Sequence, residues 1–387
     1  MGVRTVGVEE ELLLVDPGTG HASPRAGEVL AEHHRQYGVR PVQASHGLDK
    51  ELFQHQLEIR TDPSTDLGSI GEQLLVARAV AGRAARGLGL AVAAAATAPL
   101  AHEPRLTPDD RYRDMMARYA EIARRAGTCG MHVHVAVHGG QEGVGVIDRI
   151  GPWLPVLRAV SANSPYSEGR DTGYASWRSQ LWSRWPSAGP TGPFGSLDAY
   201  RELTRELIAS GAARDPGMLY FDARLSASQP TVEVRIFDTC TDPADAVLLA
   251  ALVRGLVEHA ACAWRSGEPP PAWRSESLRA AHWRASRLGL SDSLVHPRRH
   301  RLAPAREVLE ALVAEVRGEL AAAGDLDRVE EGVARVLAGG GAGAARQRAA
   351  YERTGSLRGV VGDLVDRSEA VWADLDAPQE PGSGPSP

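Results

Sequence analysis

Four stretches of this chain alternate polar and apolar positions with a period of two. They are V-G-V-E-E-E-L (residues 6–12), F-Q-H-Q-L-E-I-R (53–60), M-H-V-H-V-A-V (131–137) and T-V-E-V-R-I-F-D (231–238). Side chains two apart on a strand share a face, so each stretch reads as a strand with one aliphatic and one polar side. Strands are predicted over residues 5–15, 51–61, 90–97, 131–137, 218–224 and 231–238. Helical spacing of apolar residues predicts helices over 69–87, 109–126, 144–161, 197–210 and 244–263, with a helical remainder to about residue 373. Asp16-Pro17-Gly18, Asp62-Pro63 and Asp242-Pro243 punctuate these elements as turn or cap signals. Strands scattered among helices, several at hairpin spacing, predict an α+β fold with a mainly antiparallel sheet. No internal repeat is visible.

The polar faces carry unusual residues. Glu9 with Glu11, Gln56 with Glu58 and Arg60, His132 with His134, and Glu233 with Arg235 form same-side sets. An ordinary solvated strand face is filled mostly by lysine and threonine, whereas these positions hold metal-ligand and phosphate-ligand types. Like charges two apart on one face are costly unless a cation neutralises them, and hard divalent cations take carboxylate oxygens. The plainer alternatives are a solvated face for the glutamates, a non-ligating role for the H-x-H pair, and cross-strand ion pairs for the two E-x-R repeats. In the functional version glutamates hold metal, while arginines hold a phosphoryl or carboxylate group in bidentate fashion.

Composition narrows this picture. Of 43 basic residues only Lys50 is lysine, so there is no lysine-bearing phosphate loop and little choice for Schiff-base chemistry. Phosphates, if handled, meet metal ions, arginines and backbone amides. A net charge of −6 gives no reason to expect a nucleic-acid or anionic-membrane partner. Cys129, Cys240 and Cys262 are too widely spaced for a metal knuckle or a disulfide framework. The N-terminus shows no secretory pattern, and the apolar run 88–100 is too short to span a bilayer, so a cytoplasmic protein is expected. The sequence leaves open assembly into a homo-oligomer.

Residues 163–195 form a long stretch without regular pattern, rich in Trp, Ser, Arg, Gly and Pro. It contains N-S-P-Y (163–166) and G-R-D-T-G-Y-A-S-W-R-S-Q (169–180). Long structureless loops are commonly functional or disordered, and the tryptophans argue against disorder. Arginines and small polar residues on a glycine-loosened loop suit a small charged substrate. The glycine-rich A-G-G-G-A-G-A-A-R-Q-R-A (338–349) lacks a phosphate-loop lysine and reads as a helix-terminating turn. The Pro/Gly/Ser-rich end, residues 376–387, reads as a disordered tail behind a single domain spanning 1–375.

Taken together, these strings resemble the type-2 glutamate–cysteine ligase family, bacterial carboxylate–amine ligases related in fold to glutamine synthetase. The resemblance rests on G-V-E-E-E-L-L-L-V-D, E-L-F-Q-H-Q-L-E-I-R-T, G-M-H-V-H-V, N-S-P-Y, the 169–180 string, F-D-A-R (221–224), T-V-E-V-R-I-F-D, W-R-A-S-R-L-G-L (283–290) and R-Q-R-A-A (346–350). They run in order over roughly residues 3 to 370.

The resemblance implies a curved antiparallel sheet with helices behind it, and divalent ions (Mg²⁺ or Mn²⁺) between ATP and substrate on the open face. It places metal on Glu9, Glu11, Glu58, His134 and Glu233, catalytic roles on Glu58, Arg60 and Arg235, and ATP phosphates on Arg60, Arg235 and Arg346. Substrate contacts fall to Asn163, Arg170, Tyr174, Arg178, Trp283 and Arg284. The implied reaction is phosphoryl transfer from ATP to a γ-carboxylate, then attack by an amine, as in γ-glutamylcysteine formation. Ala136, where glycine is expected, and Ala281-His282, where an acidic-Asn pair is commoner, depart from the pattern and bear on substrate identity. Three rivals stand beside this reading: a zinc-type hydrolase built on His132, His134 and carboxylates, a non-catalytic nucleotide- or amino-acid-binding module, and a ligase of the same family joining a different carboxylate and amine.

Overall fold

The structure is a computed structural model and describes residues 2–37, 47–339 and 341–372; the proposed tail lies outside them. β1 (Val6–Val15) is the spine of the fold, as the alternation over residues 6–12 demands. β2 (Leu48–Lys50), β3 (Gln56–Arg60), β4 (Ala91–Ala93) and β5 (Gly130–Ala136) follow. A small hairpin, β6 (Tyr166–Ser167) with β7 (Arg170–Asp171), stands apart, and β8 (Ala223–Leu225) and β9 (Thr231–Asp238) complete the main sheet. The order is β2-β3-β1-β5-β9-β8, with β4 also on β1, and every pairing is antiparallel. A second hairpin, β10 (Ser293–His296) with β11 (Arg301–Pro304), interrupts the region expected to be helical throughout.

The aliphatic sides of β1, β5 and β9 (Val6, Val8, Val133, Val135, Val232 and Val234) are buried in one core with the helices Leu67–Arg86 and Pro243–Arg265. The latter is long and apolar enough to cross a membrane, but most of it is buried inside this fold. The opposite face is packed against a helix at one end. There Leu13, Val15, Ala91 and Ala93 meet Val360, Val361, Leu364 and Val365 of the helix Leu357–Ala370, leaving the region around Glu9, Glu11 and His132 uncapped by that helix.

Several elements are shorter than their pattern suggests, each for a local reason. The 51–61 stretch becomes a strand only from Gln56, because Phe53 instead bridges to Leu106. The 109–126 helix breaks at Ala120, whose φ of 48° lies outside helical geometry. The 144–161 helix is two, Gly140–Ile150 and Leu154–Ser161, parted by a turn that contains Pro152. The 218–224 strand shrinks to Ala223–Leu225 because Asp215 caps a tight turn over Pro216–Met218.

Glu10, the middle of the three consecutive glutamates, points to the back face and is fully buried. It accepts from Arg78 Nε at 2.8 Å and Nη2 at 2.7 Å, while Arg78 also donates to the carbonyls of Cys240 and Thr241. This pair ties the helix Leu67–Arg86 to both β1 and the end of β9. Removing one partner of such a pair leaves the other charge buried and unpaired. Arg78→Met is therefore expected to lower unfolding stability by about 3–5 kcal/mol, measured by denaturant titration. A loss below about 1 kcal/mol would assign the pair a minor role.

Candidate active site

Strand register gathers the polar residues into cross-strand rows. Arg60, Glu9 and His132 lie side by side across β3, β1 and β5; Glu58 lies opposite Glu11; His134 lies opposite Glu233, which in turn lies opposite Arg224 of β8. β9 carries a bulge opposite His132, so that two residues there face one on β5. Simple alternation would put Phe237 on the polar face. The bulge instead pairs Phe237 with Met131 and Asp238 with Gly130, turning the phenyl ring into the core and the carboxylate forward.

These rows line a cavity of about 350 Å³ whose other walls include Arg111, Tyr112, Trp182 and Tyr220. Two groups of ligand-type atoms lie in it, each compact enough to surround one ion: Glu9, His134 and Glu233, and separately Glu11, Glu51 and Glu58. The first group is electrically prepared. His134 Nε2 stands 3.6 Å from Glu9 Oε1 and 3.9 Å from Glu233 Oε1, and it has no hydrogen-bond partner. Its Nδ1 lies 3.1 Å from Thr231 Oγ1. Burial alone would push the Glu9 carboxyl up, but its contact with His132 at 3.1 Å and the nearby His134 ring hold it below the usual range. Burial is likewise overcome at Glu233, where Arg235 and Arg224 keep the carboxyl low. Arg224 donates Nε to Glu233 at 2.8 Å and is itself held by the carbonyls of Pro216, Gly217 and Leu219. Arg235 contacts the same carboxylate from the other side.

The second group lacks such support. Burial and the nearby Glu11 raise the Glu51 carboxyl to about 8, and burial with Glu9 and Glu51 lifts Glu58 well above its normal value. One buried and two half-buried carboxylates, with Arg60 beside Glu58 as their near cation, are what a divalent cation would neutralise, so the donor sets fit hard ions. His132 is not in either group. Its Nδ1 is 3.1 Å from Glu9 Oε2, and burial next to Arg235 lowers its pKa. The H-x-H pair therefore does not present two ligands to one ion, as a zinc hydrolase built on it would need.

The expected residues fall in different places. Glu9, Glu11, Glu58, His134, Glu233 and Arg235 converge on the cavity. Arg60 sits at its outer edge, paired with Asp49 at 2.7 Å and Glu58 at 3.3 Å. Arg170 and Tyr174 lie on the loop outside it, with Trp283 donating to the Tyr174 hydroxyl at 3.3 Å. Arg178 is buried against Trp182, its guanidinium carbon 5.2 Å from the ring, and leaves no room for a side chain at Gly130.

Three assignments meet a different environment. Asn163 is completely buried and gives its amide to the carbonyls of Ala94 and Thr239, so it braces the interior and has no donor left for a substrate. Arg284 is bound to Ser293 and Asp292 at the β10 hairpin, and Arg346 to Asp245 at 2.7 Å. Neither lines the sheet-face cavity, because each is held by an internal partner. His282, one of the departures noted above, is buried 3.1 Å from Asp222, which Arg158 also reaches at 3.2 Å. It thus completes a core cluster.

Sequence reasoning assigned no role to Glu51, Arg224, Tyr112, Trp182 or Tyr220. Glu51 was detectable only as a carboxylate seven residues before Glu58, and it precedes the strand. The irregular loop owes its shape to Asp238, which accepts from the Asn163 N–H at 2.8 Å, Ser164 Oγ at 2.6 Å and Ser176 Oγ at 2.8 Å.

Comparison with known proteins shows the family and the fold. A protein of Nocardioides sp. (strain ATCC BAA-499 / JS614), provisionally named glutamate–cysteine ligase 2-1, is 58% identical over 97% of this chain and 98% of its own. One from Streptomyces coelicolor, provisionally named glutamate–cysteine ligase 2, is 47% identical over 95% of this chain and all of its own. Among solved structures, the glutamate–cysteine ligase of Francisella tularensis in complex with AMP matches with a TM-score of 0.65 at 12% identity, covering 98% of this chain and 90% of that one; at that identity it shows the fold alone. Residues 5–363 match the model of glutamate-cysteine ligase family 2, and the chain belongs to that family.

Proposed function

We propose that this protein is an ATP-dependent carboxylate–amine ligase of the glutamate–cysteine ligase type, acting with two divalent cations, Mg²⁺ or Mn²⁺, in the cytoplasm. The observation that carries this reading is the placement of two separate ligand groups on one sheet face with Arg224 and Arg235 at their side. One group would hold an ion on Glu9, His134 and Glu233, the other on Glu11, Glu51 and Glu58. Bound there, the ions supply charge neutralisation for phosphoryl transfer.

The chain's own residues do the rest. Arg235, with Arg60 at the edge, faces the phosphoryl group in transit; Arg224 keeps Glu233 oriented and ionised. The transferred phosphoryl leaves ADP and forms an acyl phosphate on the donor γ-carboxylate, and the amine nitrogen then bonds to the acyl carbon as phosphate departs. Arg170, Tyr174 and Trp283, on or beside the loop pinned by Asp238, would meet the amino-acid substrates, with the buried Arg178 supporting that loop from beneath. A catalytic unit covering residues 1–375 belongs to the same reading.

ADP release with Mg²⁺, ATP and L-glutamate, with and without L-cysteine, tests the reaction. Cysteine-dependent ADP matched by γ-glutamylcysteine is expected; no ADP with any carboxylate would overturn the ligase reading. Glu58→Ala is expected to abolish ATP turnover while circular dichroism and the melting temperature of the metal-free protein stay native. An unfolded variant, or one with wild-type turnover, refutes the role given to Glu58.

Glu51 provides a pH test. Its carboxyl in the folded protein is raised to about 8, so between the ordinary carboxylate range and pH 8 the folded state binds more protons than the unfolded one. Stability of the metal-free protein therefore falls as pH rises through that window. Saturating Mn²⁺ is expected to offset the fall, since a cation replaces the protons. Melting curves at pH 5, 6.5 and 8 with and without Mn²⁺ check it; a flat metal-free profile would contradict the assignment.

Thr231 supplies a second test. A hydroxyl that accepts from His134 Nδ1 leaves Nε2 free for an ion, and losing such a partner costs about 10–100-fold in metal affinity. Calorimetric Mn²⁺ titration of Thr231→Val should show that loss at one of two sites, with Thr231→Ser restoring it. Unchanged binding at both sites rejects the role.

A further inference from the structure

Most charged donors lining the sheet-face cavity are committed. Arg224 and Arg235 hold Glu233, and Arg111 holds Asp215. Three neutral donors on the same lining have no hydrogen-bond partner among the described residues: the Tyr112 and Tyr220 hydroxyls and the Trp182 indole N–H. Tyr220 is firmly held. Its ring packs on Trp182 at 4.7 Å and on Trp185 at 5.3 Å, and Arg235 lies over it with the guanidinium carbon 5.8 Å from the ring centre. Its backbone N–H donates to Ser187 Oγ at 3.1 Å, and that hydroxyl donates to the Met218 carbonyl at 2.7 Å. Only 8% of the residue is exposed, and the exposed part includes the hydroxyl oxygen, which is neither bonded nor sealed and so opens on the cavity. A donor fixed in this way needs no reorganisation when an acceptor arrives.

The surrounding charges narrow what that acceptor is. Burial raises the Tyr220 pKa to about 13, so the hydroxyl keeps its proton and acts as a neutral donor. Among charged groups Arg235 acts on it most, then Glu51, with Arg111 and Arg224 after them. Arg235 contacts Glu233 of the first ligand group, whereas Glu51 belongs to the second. The Tyr220 hydroxyl is thus a neighbour of both groups. Tyr112 differs, since after burial the charges acting on it most are Glu51 and Glu58, both of the second group. The cavity lining carries five carboxylates (Glu9, Glu11, Glu51, Glu58 and Glu233) against three arginines, so a free anion is repelled until cations occupy the carboxylates. A group clamped between two such cations, as a phosphoryl group in transit is, brings its oxygens to where Tyr220 neighbours both sets.

We propose that Tyr220 is a catalytic residue of the ligase reaction, its hydroxyl donating to an oxygen of the phosphoryl group as that group passes from ATP to the donor carboxylate. In this step the bond from the carboxylate oxygen to the γ-phosphorus forms as the bond from that phosphorus to the bridging oxygen of ADP breaks, and the electron pair leaves on ADP. Tyr220 keeps its proton throughout. A rigid donor aimed at the group in flight, and not at the resting triphosphate, contributes to the rate of the step and little to substrate binding. The inference rests on the ligase reading and adds to it a residue from outside the sheet, on the segment that leads into β8.

The test compares Tyr220→Phe with the unmodified full chain in ADP release from ATP, Mg²⁺, L-glutamate and L-cysteine. The substitution keeps the ring and removes a hydroxyl that makes no internal hydrogen bond, so circular dichroism and melting temperature are expected to stay native. Its kcat is expected to fall about 100-fold, while KM for ATP and for L-glutamate moves by less than about threefold. Binding of ADP with aluminium fluoride, a stable mimic of the planar phosphoryl group, should weaken by a similar factor, with binding of ADP alone unchanged. A kcat within about twofold of the unmodified protein, a change confined to KM, or unaltered binding of ADP with aluminium fluoride overturns the proposal. An unfolded variant also overturns it, since the hydroxyl would then serve packing. If the unmodified protein releases no ADP with any carboxylate, the ligase reading fails and this inference with it; if it turns over and Tyr220→Phe does so equally, only the role of Tyr220 fails.

Discussion

Five carboxylates share one face of a sheet, and the cost of keeping them there organises the site. Like charges at this spacing, removed from water, repel more strongly than surface charges do. The chain meets the cost by itself for only part of the set. Glu9 and Glu233 stay ionised because histidines and two arginines surround them. Glu51 and Glu58 have less such company, with Arg60 beside Glu58 at the cavity edge, and burial among carboxylates still raises both pKa values. Under the proposed function, the less balanced group is the place where a cation would relieve the most charge.

Holding the charges requires rigid anchoring elsewhere, and buried polar contacts provide it. Arg78 and Glu10 fasten the helix Leu67–Arg86 to the back of β1 with hydrogen bonds a hydrophobic contact could not direct. Asp238 does the same in front, where the β9 bulge turns it toward the serines of the irregular loop. Buried carboxylates with every acceptor position engaged rigidify their surroundings. The 163–195 segment, which contains the β6–β7 hairpin and the short helix Trp177–Trp182, is thus pinned to the end of β9. Arg178, carried on that loop, is thereby fixed close to Gly130.

The fold was legible where one period dominated. Glu9, Glu11, His134 and Glu233 could be placed on one face because alternation over residues 6–12, 131–137 and 231–238 allows few other arrangements, and family resemblance added the order of the motifs. Site residues outside the strands were harder. Glu51 precedes β3, and Arg224 comes from a strand of three residues whose pattern is too short to assign a face. Asn163, Arg284 and Arg346 show a different difficulty, since each has internal partners that no sequence pattern announces. An asparagine that braces two carbonyls and one that binds substrate look identical in a sequence, since both functions use the same donors and acceptors.

The sequence by itself determined which residues share a strand face, that phosphate chemistry here must proceed without lysine, and the family to which the ordered motifs point. Local periodicity and composition suffice for these, because neighbours along the chain impose them. Only the tertiary structure decided that the carboxylates divide into two groups, that a bulge opposite His132 exchanges Phe237 for Asp238, and which arginines are spent internally. Those outcomes depend on strand register and on partners tens to hundreds of residues away, such as Arg346 with Asp245 or Arg78 with Thr241. Pairing across such separations is settled by packing of the whole chain.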